Sequence, residues 1–112
     1  MTTAKAARIT GCGIGLVRID NKYRAIASEG SVPIAECHDY APSAALSRLV
    51  ERVYGILSAR QREKQRGRCA NCNELRPLEM DHIIPRSKGR DDRQIRGLCR
   101  PCHVIRHTKG YL

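Results

Sequence analysis

Apolar and polar positions along this 112-residue chain change period near residue 42. From about residue 8 to residue 20, Ile14, Leu16, Val17 and Ile19 recur at short intervals, which predicts an extended segment. Asp20-Asn21-Lys22 supplies turn residues and residues 23–27 form a second short run, so a hairpin is expected. A third strand is predicted over residues 32–37, after the Glu29-Gly30-Ser31 turn. Pro33 has no amide hydrogen to give a ladder, which confines that strand to an edge. Gly11, Gly13 and Gly15 are too closely spaced for a dinucleotide-binding fingerprint, and no helical pattern follows them. A bulge or loop is expected there.

From Pro42 and Ser43 the spacing becomes helical. Leu46, Leu49, Val50, Val53, Tyr54 and Leu57 make one apolar stripe, with Arg48, Glu51 and Arg52 on the other side. The helix is expected to continue through Ala59-Arg60-Gln61-Arg62-Glu63-Lys64-Gln65-Arg66, where the stripe ends and basic residues recur, until Gly67 stops it. That basic extension reads either as a helix riding on a phosphate backbone or as a solvated linker. Three regions follow: a β-rich region of unknown role over 1–41, the amphipathic helix over 42–66, and a third over 67–112.

Composition narrows the picture. Hydrophobic residues make up 41% and aromatics 4%, with no Trp and no Phe, so the core is small and calls for a staple. The chain has no run of 18 apolar residues and no apolar leader, which disfavours a membrane span or export and leads to an expected cytoplasmic location. Net charge is +10, and residues 59–112 carry +8 of it. Sixteen of the basic residues are Arg, whose planar fork matches phosphate, so a nucleic acid is the expected partner.

Four of the six cysteines form two identical pairs, Cys69-Ala-Asn-Cys72 and Cys99-Arg-Pro-Cys102, with 26 residues between them. Two thiolates from one tight turn reach a single ion about 2.3 Å away, and a second turn closes the tetrahedron. A structural four-cysteine zinc site is therefore expected, with a pair of redox dithiols as the alternative. Cys12 and Cys37 lack such a pattern and read as small core residues.

Between the pairs stands Asp81-His82-Ile83-Ile84-Pro85-Arg86-Ser87-Lys88-Gly89, and His103 and His107 follow the last cysteine. A knuckle closed on zinc would set the Asp81 strand beside the His103 helix, so a carboxylate and an imidazole could share a second, open metal site. His82 alternates to the other side of an extended chain and is left to take a proton from water.

CANC, DHIIPRSKG and LCRPCH together resemble the zinc-containing branch of the HNH endonuclease family, over residues 68–109. The resemblance implies an α+β chain whose nuclease domain is a ββα-metal fold hydrolysing DNA phosphodiester bonds, and it alone suggests a phage or bacterial origin. It implies that Asp81 ligates a catalytic divalent cation (Mg²⁺, Mn²⁺, Ni²⁺ or Zn²⁺), that His82 is the general base and that His103 is the second ligand. His107 stands where some members have a further ligand, and the four cysteines would hold structural zinc. Arg86, Lys88, Arg90 and Arg93 are the expected DNA contacts.

Two positions depart from the family pattern. Gln94 stands where the family usually has Asn, a catalytic position in which a longer amide must serve, and Gly89-Arg90 replaces the common Gly-Gly. A non-catalytic, zinc-stabilised DNA-binding module is the alternative, disfavoured because such a module needs no cluster of carboxylate and imidazoles.

Overall fold

The computed structural model describes residues 1–109; the last three residues of the expected third region lie outside the described residues. Its elements run α1 (Thr3–Thr10), β1 (Gly13–Ile19), β2 (Lys22–Glu29), β3 (Val32–Asp39), α2 (Pro42–Gln65), β4 (Leu78–His82), a 3₁₀ turn (Arg86–Lys88), β5 (Ile95–Cys99) and α3 (Arg100–Lys109). Mixed helix and antiparallel strand make the chain α+β, as expected. The backbone divides into two compact units, residues 1–56 with 91–93, and residues 57–90 with 94–109. Helix α2 contributes to both.

In the first unit β1, β2 and β3 form an antiparallel meander in that order. Ile19 pairs with Lys22, which leaves Asp20-Asn21 as a two-residue loop with Asp20 at φ 57. Such loops match the right-handed twist of the strands only if a residue takes positive φ, which Asp tolerates. Register places Ile14, Leu16, Ala25, Ala27, Ala35 and Cys37 on one face. Ala25, Ala27 and Cys37 are buried, as are Leu46, Leu49, Val50 and Val53 of the α2 stripe. Arg52 of α2 donates to the Glu36 carbonyl at 2.9 Å, and Arg48 pairs with Asp39 at 3.2 Å, which fixes the helix against β3. β3 is indeed an edge strand, and the β2 register slips between Ala27 and Ser28, opposite Pro33.

One expectation fails here. The stretch from Arg8 does not begin as a strand, because residues 3–10 form a helix. Thr2 caps it by accepting from the Lys5 amide at 3.1 Å, and Gly11 ends it at φ 73, a left-handed conformation that glycine adopts without strain. Gly11 is thus a helix cap, and Gly13 and Gly15 lie within β1 rather than in a bulge or loop.

Helix α2 runs 24 residues. Its end is a Schellman motif: the Gly67 amide donates to the Arg62 carbonyl at 3.1 Å and the Arg66 amide to the Glu63 carbonyl at 3.0 Å. The first left-handed residue is Arg66, at φ 54, ahead of the expected stop at Gly67. An L residue in that conformation is strained by about 1–2 kcal/mol. Arg66→Gly is therefore expected to stabilise the chain by about 1 kcal/mol, since the added freedom of the unfolded chain offsets part of the gain. Thermal unfolding checks this, and an unchanged or lower midpoint would refute it.

The second unit is a two-stranded antiparallel sheet followed by a helix. β4 and β5 pair from Leu78 with Cys99 to His82 with Ile95. Gly97 sits at a close approach; a Cβ there would lie 2.8 Å from Leu78 Cδ1 and 3.1 Å from Gln65 Nε2. Gln65 uses that proximity: its Oε1 accepts from the Gly97 amide at 2.7 Å and its Nε2 donates to the Gly97 carbonyl at 3.0 Å. The Ala70 amide also donates to the Gly97 carbonyl, so this one peptide ties the α2 terminus and the first cysteine turn to β5.

Candidate metal centre

The first cysteine pair lies on a tight turn. The Cys69 amide donates to the Glu74 carbonyl, the Asn73 amide returns to the Cys69 carbonyl, and Asn73 takes φ 62 to close the loop. The second pair straddles a junction, with Cys99 ending β5 and Cys102 in the first turn of α3. All four Sγ atoms lie within 4.8 Å of one another, and those of Cys72 and Cys99 are 3.7 Å apart. A tetrahedral ion with sulfurs at about 2.3 Å separates them by about 3.8 Å. The donor set fits zinc.

Electrostatics inside the cluster differ from thiol to thiol. Burial resists ionisation of Cys69, yet backbone N–H groups of Cys72, Cys99 and Asn71 outweigh it and bring the thiol down to about 6. At Cys72 the Glu74 amide favours the thiolate, but burial and the sulfurs of Cys69 and Cys99 prevail and push it up. A metal ion resolves such crowding by accepting every thiolate at once. The Asn71 backbone amide donates to Cys69 Sγ and its side-chain amide to Cys102 Sγ, both at 3.4 Å, so one residue links the two pairs.

A second cluster stands on the face of the β4–β5 sheet opposite Gly97 and Met80. Alternation along β4 puts Glu79 and Asp81 on one face and Met80 and His82 on the opposite face. On α3, His103 and His107 are four residues apart and share one side of the helix. Asp81 Oδ1 lies 3.7 Å from His103 Nε2 and 3.4 Å from His107 Nε2, and the two Nε2 atoms are 2.9 Å apart. A cation about 2.1 Å from each ligand keeps adjacent ligand atoms about 3.0–3.4 Å apart, so separations of 2.9 to 3.7 Å lie near that spacing and the three side chains could hold one ion.

Asp81 is 3% exposed, and its two oxygens face different neighbours. Oδ1 faces the imidazoles. Oδ2, buried and without a hydrogen bond, is approached by Arg106 Nε at 3.4 Å and Arg96 Nε at 3.6 Å. Arg106 also donates to the Ile83 carbonyl at 2.9 Å, which holds its guanidinium at the end of β4. A buried carboxylate in this setting has compensating charge on one side and room for a cation on the other.

Sequence reasoning missed Arg96, Arg106 and Glu79. Glu79 Oε2 lies 2.7 Å from His103 Nδ1, and Arg100 donates to its Oε1 at 3.3 Å. The hydrogen bond from His103, foremost, holds the Glu79 carboxyl below the usual carboxylate range. A signal for Glu79 existed, because a residue two before Asp81 on a strand shares its face.

The remaining expected residues fall as follows. His82 is the half-buried last residue of β4, on the other face from Asp81, opposite Ile95. Gln94 is exposed, and its carbonyl accepts from the Ile83 amide at 2.9 Å, extending the β4–β5 ladder by one bond. Arg86 and Lys88 are exposed on the 3₁₀ turn, and Arg90 is half-buried. Arg93 belongs to the first unit, where Asp91 takes both ends of its fork at 3.0 and 3.1 Å and its stem covers Gly11. Cys12 and Cys37 are buried and belong to the first unit.

No helix among the described residues is long and apolar enough to cross a membrane. Neither a curated protein nor a solved structure matches the chain. The family model of HNH endonucleases matches residues 67–109, the span that holds both clusters. That segment, with its two antiparallel strands, following helix and four-cysteine cluster, is the part of the chain that matches an HNH endonuclease domain.

Proposed function

We propose that this protein is a metal-dependent endonuclease that hydrolyses DNA phosphodiester bonds. The observation that carries the reading is the convergence of Asp81 Oδ1, His103 Nε2 and His107 Nε2 beside a four-thiol cluster, within the segment that matches the family. Asp81 and His103 would hold the catalytic cation, with His107 as a further ligand, and the four cysteines would hold structural zinc. When bound, the divalent cation supplies Lewis-acid stabilisation of the charge that develops on the phosphate and the leaving oxygen.

The chain's own side chains perform the remaining steps. His82, off the ligand face of β4, takes the proton of the attacking water. Arg86 and Lys88 on the exposed turn, together with Arg90, grip backbone phosphates. Contacts of that kind carry little sequence information and weaken as salt rises. Arg93 contributes to this grip only if it leaves Asp91. Gln94, immediately before β5, orders the loop through its carbonyl.

The expected result is that supercoiled plasmid is nicked when Mg²⁺, Mn²⁺ or Ni²⁺ is added, that chelation stops nicking, and that binding falls steeply with salt. DNA binding without nicking under any of the three metals would overturn the enzyme reading in favour of a zinc-stabilised binding module.

A further inference from the structure

We propose that Glu79 is a positioning residue for His103: it holds the proton on Nδ1 and thereby turns the Nε2 lone pair toward Asp81 and His107. The inference rests on the proposed reading of His103 as a metal ligand and adds a residue that the motif comparison does not assign.

The argument is one of proton placement. Glu79 Oε2 and His103 Nδ1 are 2.7 Å apart, the separation of a short charge-assisted hydrogen bond. A carboxylate oxygen has no proton to give, and a ring nitrogen without one would set two lone pairs against each other at that distance. The proton therefore sits on Nδ1, and in the neutral ring Nε2 is then the acceptor. The other end of the ring agrees. His103 Nε2 lies 2.9 Å from His107 Nε2 and 3.7 Å from Asp81 Oδ1, so its lone pair is directed at the atoms that could hold an ion.

The alternative role, Glu79 as a ligand itself, conflicts with the geometry. Its nearer oxygen lies at Nδ1, on the side of the ring away from Nε2, and its other oxygen accepts from Arg100 at 3.3 Å. The β4 backbone explains the arrangement. Two residues on one face of a strand stand about 7 Å apart, so Glu79 and Asp81 reach the two nitrogens of one imidazole from successive positions. Carboxylates placed behind ligating imidazoles fix ring orientation and raise ligand basicity, and their removal usually weakens metal binding by about 10–100-fold.

The test uses full-length protein with its zinc retained. Long-range ¹H–¹⁵N spectra of histidine-labelled chain at pH 8, with His103 assigned by comparison with His103→Gln, report the tautomer directly. The expected result is an Nδ1–H ring in the wild type, a shift toward the Nε2–H form in Glu79→Ala, and retention in Glu79→Gln, whose amide oxygen still accepts. Calorimetric titration with Mn²⁺ is expected to show affinity about 10–100-fold weaker for Glu79→Ala, with Glu79→Gln between. An Nε2–H ring in the wild type, or an alanine variant with unchanged tautomer and Mn²⁺ affinity within twofold, overturns the proposal. The wild-type spectrum decides the matter if the alanine variant fails to fold. An Nδ1–H ring in a chain that never nicks DNA supports this role while removing the nuclease reading; nicking with an Nε2–H ring does the reverse.

Discussion

Cys99→Ser is expected to leave residues 67–109 without zinc and without a cooperative fold. Cys99 ends β5, is 1% exposed and faces Cys72 Sγ at 3.7 Å. The buried cluster around it consists of Cys69, Leu98, Cys99 and Cys102, with Leu78 packed against it. Three of those four residues are expected zinc ligands, so the apolar side chains of this cluster are two leucines, with Ile95 buried farther along β5. That is too little to order some forty residues, because a core this small falls short of the conformational entropy it must offset. Structural zinc supplies about 10–16 kcal/mol of apparent binding free energy, as much as the whole stability of an ordinary domain. A serine hydroxyl stays protonated at neutral pH and does not replace a thiolate. Metal analysis should find one zinc per wild-type chain and almost none in the variant, with loss of far-ultraviolet signal from the second unit. Cys37→Ala, in the first unit, should keep its zinc. A zinc-free wild type, or a Cys99→Ser chain that melts like it, would refute the structural role.

Acid acts on the same cluster. The folded state lowers the Cys69 thiol from its ordinary 9.0 to about 6. A group depressed on folding lends stability that is complete above its unfolded value and lost as pH falls through its folded value. The contribution of Cys69 is therefore eroded between about 9 and 6, in the same direction as proton competition for zinc.

The parts of this fold that could be read from sequence are those set by short-range geometry. A Cys-x-x-Cys turn closes on itself, and histidines at i and i+4 share a helix face whatever surrounds them. Asp81 and His82 alternate because strands alternate, so the juxtaposition of Asp81 with His103 required only that β4 lie beside α3. Residues whose meaning depends on a partner distant in sequence were not legible. Glu79 is one of 11 acidic residues in a chain with 21 basic ones, and although alternation puts it on the face of Asp81, nothing local pairs it with an imidazole 24 positions away. Gln65 likewise looks like one more polar residue at a frayed helix end, until β5 arrives to present Gly97. Helix α1 was obscured for another reason. Its buried face is Ala6, Ile9 and Thr10, too weak an apolar signal beside the Ile14–Ile19 run, although Thr2 and Gly11 mark its ends.

His82→Ala should separate proton transfer from metal binding. Under the proposed reading the ligand atoms belong to Asp81, His103 and His107, and His82 leaves β4 on the opposite face. Its removal should therefore leave zinc content, Mn²⁺ affinity and DNA binding at wild-type levels while nicking slows by about 10²–10⁴-fold, the usual contribution of a positioned general base. Asp81→Asn, by contrast, removes charge from the ligand set, so its defect should include weaker Mn²⁺ binding and respond to higher metal concentration. The pH profile sharpens the distinction. A base must be unprotonated to act, so wild-type nicking should rise with pH and then level off. That limb should vanish in His82→Ala, and added imidazole should restore part of the rate if the missing group is a proton acceptor. Nicking by His82→Ala within threefold of wild type would assign the proton to another group, and a parallel loss of Mn²⁺ affinity would make His82 a ligand instead.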